Sequence, residues 1–438
     1  MLFRKIQSSI DAYLKHPGNK ILLIDGARQV GKTYIIRDSG RKLFKNFIEI
    51  NLAEDEISDR RFSDVRSAAD FYFQLSTIAG SSMKEKENTL VFLDEIQVYP
   101  HLLTLLKFLK QDDRFTYIAS GSLLGVTLSQ TSSIPIGSIM VMRMYQLDFE
   151  EFLLANGYGK EAIDVLRQKF ENRESLDETT HNNLIGMFKK YLLVGGMPDA
   201  VNSFVSEKNI YNVRQIQKEI HDFYAADASK YDRANRLKIR RIYDMIPSTL
   251  ENRKKRIVIK DIDGVKGKTY SQYLDEFEYL ISACIVLGVK AVSTPVYPLV
   301  ENSTKNLIKL YLNDVGILTS VLYPVNIDAI LKDISSINLG SVYECVVASE
   351  LKAHGNELFY YDNRKNGEVD FLTNDHDNLK VLPIEVKSGK DYYIHKALDV
   401  FLQGNKYPVE RGIVLSNERI IKTEGCVTYY PVYEVMFM

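Results

Sequence analysis

Ile21-Leu22-Leu23-Ile24, then Gly26-Ala27-Arg28-Gln29-Val30-Gly31-Lys32-Thr33, then Tyr34-Ile35-Ile36-Arg37 form a close succession of apolar β-rich run, phosphate-loop pattern and helical stretch. By itself the middle pattern needs only two glycines, a lysine and a Ser or Thr, so ordinary composition produces it by chance now and then. Its position between a strand and a helix gives it meaning. Glycines let backbone N–H groups and a helix N-terminus wrap an anion, and Gly26 and Gly31 stand where a Cβ would hinder the turn. Lys32 is placed to reach β- and γ-phosphate oxygens, and the Thr33 hydroxyl to ligate magnesium. Gly26, Ala27, Arg28, Gln29, Val30, Gly31, Lys32 and Thr33 are therefore the expected nucleotide-binding residues, with ATP and Mg2+ as cofactors. The plainer alternative is a glycine turn with an incidental lysine.

Working outward, further β-rich runs lie at Phe47-Ile48-Glu49-Ile50, Leu90-Val91-Phe92-Leu93, Phe115-Thr116-Tyr117-Ile118-Ala119 and Ile139 to Met142. They alternate with helical stretches, the pattern of a parallel sheet with helices on its faces. Thr89-Leu90-Val91-Phe92-Leu93-Asp94-Glu95 reads as a buried strand ending in two acids. Asp94 is expected to hold magnesium, directly or through water, and Glu95 to polarise the attacking water, a Walker B arrangement. Acids that merely cap the next helix are the alternative. The fourth run ends Ala119-Ser120-Gly121-Ser122, where Ser122, or failing it Ser120, is expected to sense the γ-phosphate or position water, unless both only cap a helix. The expected catalytic set is Lys32, Glu95 and Ser122, and the metal set Thr33 and Asp94. Arg143 ends the fifth run and has three readings: a phosphate contact in cis, an arginine finger for a neighbouring subunit, or a salt bridge.

The segments GARQVGKT, TLVFLDEIQ, the SGS turn, YQLDFEEFL and YLLVGGMPDAV resemble those of the prokaryotic AAA-type ATPases that carry an uncharacterised C-terminal domain. The resemblance covers nearly the whole chain. It implies an AAA-type P-loop NTPase core, and the helically spaced stretch from Leu147 to about Lys230 fits a helical lid. The DFEEF and GGMP segments carry no chemistry that the residues reveal; Gly195-Gly196-Met197-Pro198 is otherwise a turn.

Beyond the lid, a helix from about Leu237, an extended piece at Arg256 to Asp261, a helix at Ser271 to Val286 and a ribbon from Val289 to Leu312 suggest a winged helix. Pro295, Pro298 and the polar stretch Glu301 to Asn306 suit a wing tip. A final α/β unit follows: helix Ser341 to His354, strands at Leu358 to Tyr361, Glu368 to Leu372 and Val381 to Val386, a helix, and a strand at Gly412 to Leu415. The expected domains are 1–230, 231–335 and 336–438, an α/β multidomain chain.

In the last unit Glu368-Val369-Asp370 is followed, fifteen residues after Asp370, by Glu385-Val386-Lys387. Residues i and i+2 of a strand share a face, so Glu385 and Lys387 project together. Asp370 and Glu385 are placed to hold a second divalent cation and Lys387 to orient a hydroxide, with Glu344 as a further acid. This constellation resembles the PD-(D/E)XK nuclease fold, a restriction-endonuclease-like α/β domain, with Val369 where the motif has proline. The contrary reading is an inherited buried ion-pair network that serves only structure.

Composition narrows the classes. At 438 residues the chain exceeds one ordinary core, so it must divide. Its longest apolar stretch, near Tyr279 to Val292, is broken by Gly288 and Lys290, and the first residues read as an amphipathic helix; neither a membrane span nor an export signal is expected. Cys284, Cys345 and Cys426 lie far apart without metal spacing, which points to the reducing cytoplasm. A net charge of −1 gives no overall attraction to nucleic acid, so DNA binding would rest on local patches, Arg233 to Arg241 and Arg253 to Arg256. Two functions therefore compete: an ATPase whose winged helix and nuclease-like domain engage DNA, and a regulatory ATPase switch that binds a protein partner over inert scaffolds. A homo-oligomer is compatible with both.

Overall fold

The computed structural model describes residues 2–80, 83, 88–122, 137–228, 236–252, 255–265, 267–303, 307–332, 337, 339–363, 367–403 and 407–438. The chain divides into two compact units: Arg4–Tyr145 with Ser282–Cys284, and Met1–Phe3 with Gln146–Ile281 and Ile285–Met438.

The first unit is built on β1 (Ile21–Asp25), β2 (Asn46–Asn51), β3 (Thr89–Asp94), β4 (Thr116–Gly121) and β5 (Ile139–Arg143). They pair in the order β2-β3-β4-β1-β5, and every pairing is parallel. β1, β3 and β4 are buried along their whole length, as central parallel strands covered on both faces must be. All five expected strands are present, each within a residue or two of its expected place. Around the sheet lie α1 (Ile6–Lys15), α2 (Lys32–Leu43), α3 (Leu52–Ile57), α4 (Ala68–Ala79) and α5 (Pro100–Asp112). Pro100 opens α5 where no intrahelical N–H is needed, and Leu102, Leu103, Leu105, Leu106 and Leu109 turn into the core with Leu23, Val91 and Leu93. A parallel sheet collects the carboxyl ends of its strands at one edge. Gly26, Asp94, Gly121 and Arg143 come together there because Asp25 is in register with both Gly121 and Arg143.

The second unit holds the helices Phe149–Ala155, Lys160–Glu171, Glu178–Val194, Pro198–Glu207, Ile210–Ala228 and Arg236–Leu250 and an eight-stranded mixed sheet. Its strands are β6 (Val286–Val292), β7 (Ile308–Leu312), β8 (Phe359–Asn363), β9 (Gly367–Asp375), β10 (Lys380–Val386), β11 (Gly412–Ser416), β12 (Lys422–Glu424) and β13 (Val427–Pro431), in the order β12-β13-β11-β10-β9-β8-β6-β7. Two expectations differ from this. The ribbon expected as a free wing is the hairpin β6-β7, but β6 also pairs in parallel with β8, Lys290 opposite Phe359, so the hairpin extends the C-terminal sheet. Residues 304–306 of the expected wing tip, and the expected boundaries at 230/231 and 335/336, lie outside the described residues. The piece expected to be extended at Arg256 to Asp261 ends in the short helix Lys260–Asp263.

The helices expected as a lid on the P-loop core group instead with the C-terminal sheet. The Phe149 N–H donates to Glu350 Oε1 at 2.8 Å, and Arg214 Nη1 donates to Gly316 O at 3.2 Å and to Thr319 Oγ1 at 3.0 Å. Gly195-Gly196 acquires a physical role here. Asp314, 1% exposed, caps the helix Val315–Leu322 through the Ile317 N–H at 2.9 Å, and its other oxygen accepts the Gly196 N–H at 2.7 Å. Burial raises the Asp314 carboxyl to about 6 even though the Gly196 and Ile317 N–H groups oppose the rise. The turn is thus a nest of backbone donors around a buried acid; a Cβ on Gly195 would meet the Asp314 carboxylate, and one on Gly196 the Leu147 backbone. Asp148, in the DFEEF segment, caps the helix Phe149–Ala155 through the Glu151 N–H at 2.9 Å.

Glu434, 4% exposed, keeps Oε2 without a hydrogen-bond partner, and burial pushes its carboxyl up to about 8. The folded state therefore binds this proton more tightly than the unfolded chain. Stability from this group is full below the ordinary glutamate range and falls as pH rises through about 8. At about 1.4 kcal/mol per unit, the total loss is up to about 5 kcal/mol. Glu434→Gln should leave the melting temperature nearly unchanged at pH 5 and raise it at pH 9; equal shifts at both values would refute the assignment.

Among the described residues no helix is long and apolar enough to cross a membrane. Among the described residues Cys284, Cys345 and Cys426 form no disulfide.

Candidate functional site

Gly31 opens α2 with φ +97°, a left-handed conformation that favours glycine. At Gly26 a Cβ would stand 2.2 Å from Met144 O, because β5 runs close beside the loop. Arg4, 6% exposed, fastens the same loop from α1's side, donating from Nη1 to Val30 O at 2.8 Å and from Nη2 to Tyr145 O at 2.6 Å. Sequence reasoning missed Arg4; the one available signal was a cation just ahead of an amphipathic helix.

Lys32 Nζ folds back over the loop and donates to Gly26 O at 2.9 Å and Ala27 O at 2.8 Å. Burial lowers its pKa, and the nearby Glu95, Asp25 and Asp94 carboxylates oppose that fall. Thr33 Oγ1 donates to Asp94 Oδ2 at 2.8 Å, and the Ser120 hydroxyl donates to Asp94 Oδ1. Burial raises the Asp94 carboxyl, against the hydrogen bonds from Ser120 and Thr33.

Glu95 follows in the left-handed region, φ +55° and ψ +44°, an uncommon backbone for a non-glycine residue. Its Oε2 accepts from the Gln97 amide, and from the Ser122 hydroxyl at 3.4 Å. Ser122 Oγ in turn accepts from Gln97 Nε2 at 3.3 Å and Arg28 Nε at 3.2 Å. Gln97, 5% exposed in the turn Ile96–Val98, was also missed: a glutamine after an acidic strand end carries no general signal. Arg143 pairs with the buried Asp25, Nη2 to Oδ2 at 3.0 Å, which is the salt-bridge reading of that residue.

The loop therefore brings together Gly26, Gly31, Lys32, Thr33, Asp94, Glu95, Ser120 and Ser122. The donor set suits ATP with Mg2+. Backbone N–H groups at the start of α2 and one ammonium face the place of an anion, and a hydroxyl beside a carboxylate offers hard oxygen ligands.

The C-terminal constellation also gathers, in a different state from the one expected. Glu344, 4% exposed on the helix Gly340–Ala353, pairs with Lys255 through Oε1 and accepts from Tyr311 OH at 2.7 Å through Oε2. Lys309, fully buried on β7, pairs with Glu368. Lys387 Nζ lies 2.8 Å from Glu385 Oε1, so the two do share a face, and Asp370 Oδ2 accepts the Val386 N–H at 2.9 Å. Burial, together with Glu385 and Glu344, pushes the Asp370 carboxyl well up. Burial alone would raise Glu344, yet Lys255 and Lys309 hold it below its ordinary value. Lysine ammoniums thus pair with Glu344, Glu368 and Glu385. Among the described residues no three His, Cys, Asp or Glu side chains gather closely enough to hold one metal ion.

Of the basic patches, Arg233, Arg253 and Lys254 and the side chain of Arg236 lie outside the described residues. Lys238 pairs with Glu276 at 3.6 Å, Arg240 with Asp244 at 3.5 Å, and Arg256 with Asp362 at 3.1 Å.

Residues 18–153 match a family model described as an AAA domain. Residues 185–327 and 339–435 match two domains of unknown function, DUF8612 and DUF4143. An uncharacterized protein of Methanocaldococcus jannaschii is 26% identical over 373 residues, covering 83% of this chain and 74% of that one. Among solved structures, the Walker-type ATPase of Pyrococcus abyssi is similar at 13% identity and a TM-score of 0.45, covering 74% of this chain and 96% of that one. The ORC1 protein of Aeropyrum pernix in complex with DNA is similar at 14% identity and a TM-score of 0.33, covering 76% and 93% respectively. AMPPCP-bound DnaA of Aquifex aeolicus is similar at 11% identity and a TM-score of 0.29, covering 64% and 89%.

Proposed function

We propose that the chain is a magnesium-dependent ATPase that acts as a nucleotide-controlled switch toward a protein partner, with its C-terminal sheet serving as a catalytically silent scaffold. The observation that carries the enzymatic part is the Thr33 hydroxyl 2.8 Å from Asp94, beside Lys32 and ahead of Glu95. Backbone N–H groups of Gly26 to Thr33 hold the phosphates, and Lys32 exchanges the Gly26 and Ala27 carbonyls for β- and γ-phosphate oxygens. Thr33 and Asp94 would hold Mg2+, which would supply charge neutralisation for the phosphates. Glu95 orients the attacking water and accepts its proton, while Ser122 and Arg28 border the γ-phosphate position. Arg143 neutralises Asp25. The three cysteines, none in a disulfide among the described residues, suit the reducing cytoplasm.

The scaffold part is supported by Lys255, Lys309 and Lys387, which supply the positive charge that a nuclease site takes from its cation. One observation favours the rival, metal-dependent phosphodiester hydrolysis: Glu385 Oε2 is buried without a hydrogen-bond partner. Incubation with duplex DNA and Mg2+ or Mn2+ separates the two. Intact DNA and an ATPase rate unchanged by DNA are expected. Cleavage that disappears in Asp370→Ala would overturn the scaffold reading, and DNA-stimulated hydrolysis would favour a DNA-engaging ATPase.

A further inference from the structure

The geometry points to Gln97 as the residue that positions Glu95 for hydrolysis; the inference rests on Glu95 acting as proposed above. Gln97 Nε2 spans the Glu95 carboxylate and Ser122 Oγ, and the Ser122 hydroxyl also reaches Glu95 Oε2 at 3.4 Å. Two donors thus fix one oxygen of Glu95. The other, Oε1, meets no donor among the described residues and is left to take a proton from water.

Gln97 is poorly suited to a purely structural role. Its own Oε1 is buried without any donor, an arrangement that costs about 1–3 kcal/mol. An apolar side chain of equal size would avoid that cost. Reversing the amide would bring Oε1 against the Glu95 carboxylate, so the donor orientation is set by electrostatics. Ile96, completely buried, anchors the turn that carries Gln97, and the Val98 N–H closes it on Glu95 O at 3.0 Å. The same turn places Glu95 in its left-handed conformation, so backbone and side chain are aimed together.

Gln97→Met keeps the length and burial and removes only the donor. Measured on the full chain with ATP and Mg2+, it should lower kcat about 10- to 100-fold while the ATP dissociation constant stays within about twofold. In a Glu95→Gln background the same substitution should lower the residual rate no further, since its effect passes through Glu95. An unchanged or increased kcat, or an equal loss in both backgrounds, would overturn the inference. The underlying reading fails separately, if Glu95→Gln hydrolyses ATP like the parent. Ser122→Ala supplies a second probe should Gln97→Met fold poorly: it removes the other donor to Glu95 and should lower kcat more in the parent than in the Glu95→Gln background, and an equal loss in both would overturn the inference.

Discussion

Glu95→Gln is expected to bind ATP with the parent's affinity and to hydrolyse it at least about 100-fold more slowly, because a positioned general base contributes roughly 10²- to 10⁴-fold. Glutamine retains the size of the side chain and can still meet Ser122, so the pocket around it should persist. What it loses is the capacity to accept a proton. Lys32→Ala should behave differently. Its ammonium is folded over the Gly26 and Ala27 carbonyls at the place of the phosphates, and its removal takes away charge needed for binding itself. The two variants therefore separate binding from chemistry: a fluorescent ATP analogue should bind Glu95→Gln and fail to bind Lys32→Ala. If Glu95→Gln loses binding as well, Glu95 supports the loop and is not the base.

The second large effect lies far from the nucleotide in sequence. Gly196→Ala would place a Cβ 1.9 Å from Leu147 O, an oxygen already held by Tyr191 OH at 2.6 Å, while Leu147 N donates to Gly196 O at 2.8 Å. Backbone must move against backbone, and the donors around Asp314 move with it. A loss of about 3 kcal/mol or more is expected, among the severe effects of single substitutions. Gly157→Ala is the control, since Gly157 has φ +95° but open space around it, and only the backbone conformation resists the change, at about 1 kcal/mol. Thermal unfolding of the two variants side by side should show the Gly196 variant melting well below the Gly157 variant. Equal midpoints would mean that the turn is not the fastening described.

The nucleotide edge was legible because its signals are local. Strand, glycine loop and helix follow one another within Ile21 to Arg37, and the acids sit at the end of the four-residue apolar run Leu90 to Leu93. The parts that escaped depend on pairing across long separations. Nothing in Val289 to Leu312 announces that β6 lies beside β8, so a hairpin that fits a wing proved to be sheet. β13 was missed although Val427 to Pro431 is buried throughout, since its parallel partner β11 is reached only through β12. The C-terminal constellation was half legible. Alternation along β10 put Glu385 and Lys387 on one face, but Lys255 and Lys309, which pair with Glu344 and Glu368, come from other elements and share no spacing with them. Gln97 and Arg4 are single polar residues whose importance depends on what they touch.

Phosphate release from ATP in the presence of Mg2+, compared between the parent chain and Lys32→Ala, tests the central claim most directly. The account predicts turnover by the parent that stops when the metal is chelated and is absent from Lys32→Ala. A parent that releases no phosphate above the blank, or a Lys32→Ala protein that releases it equally fast, would contradict it.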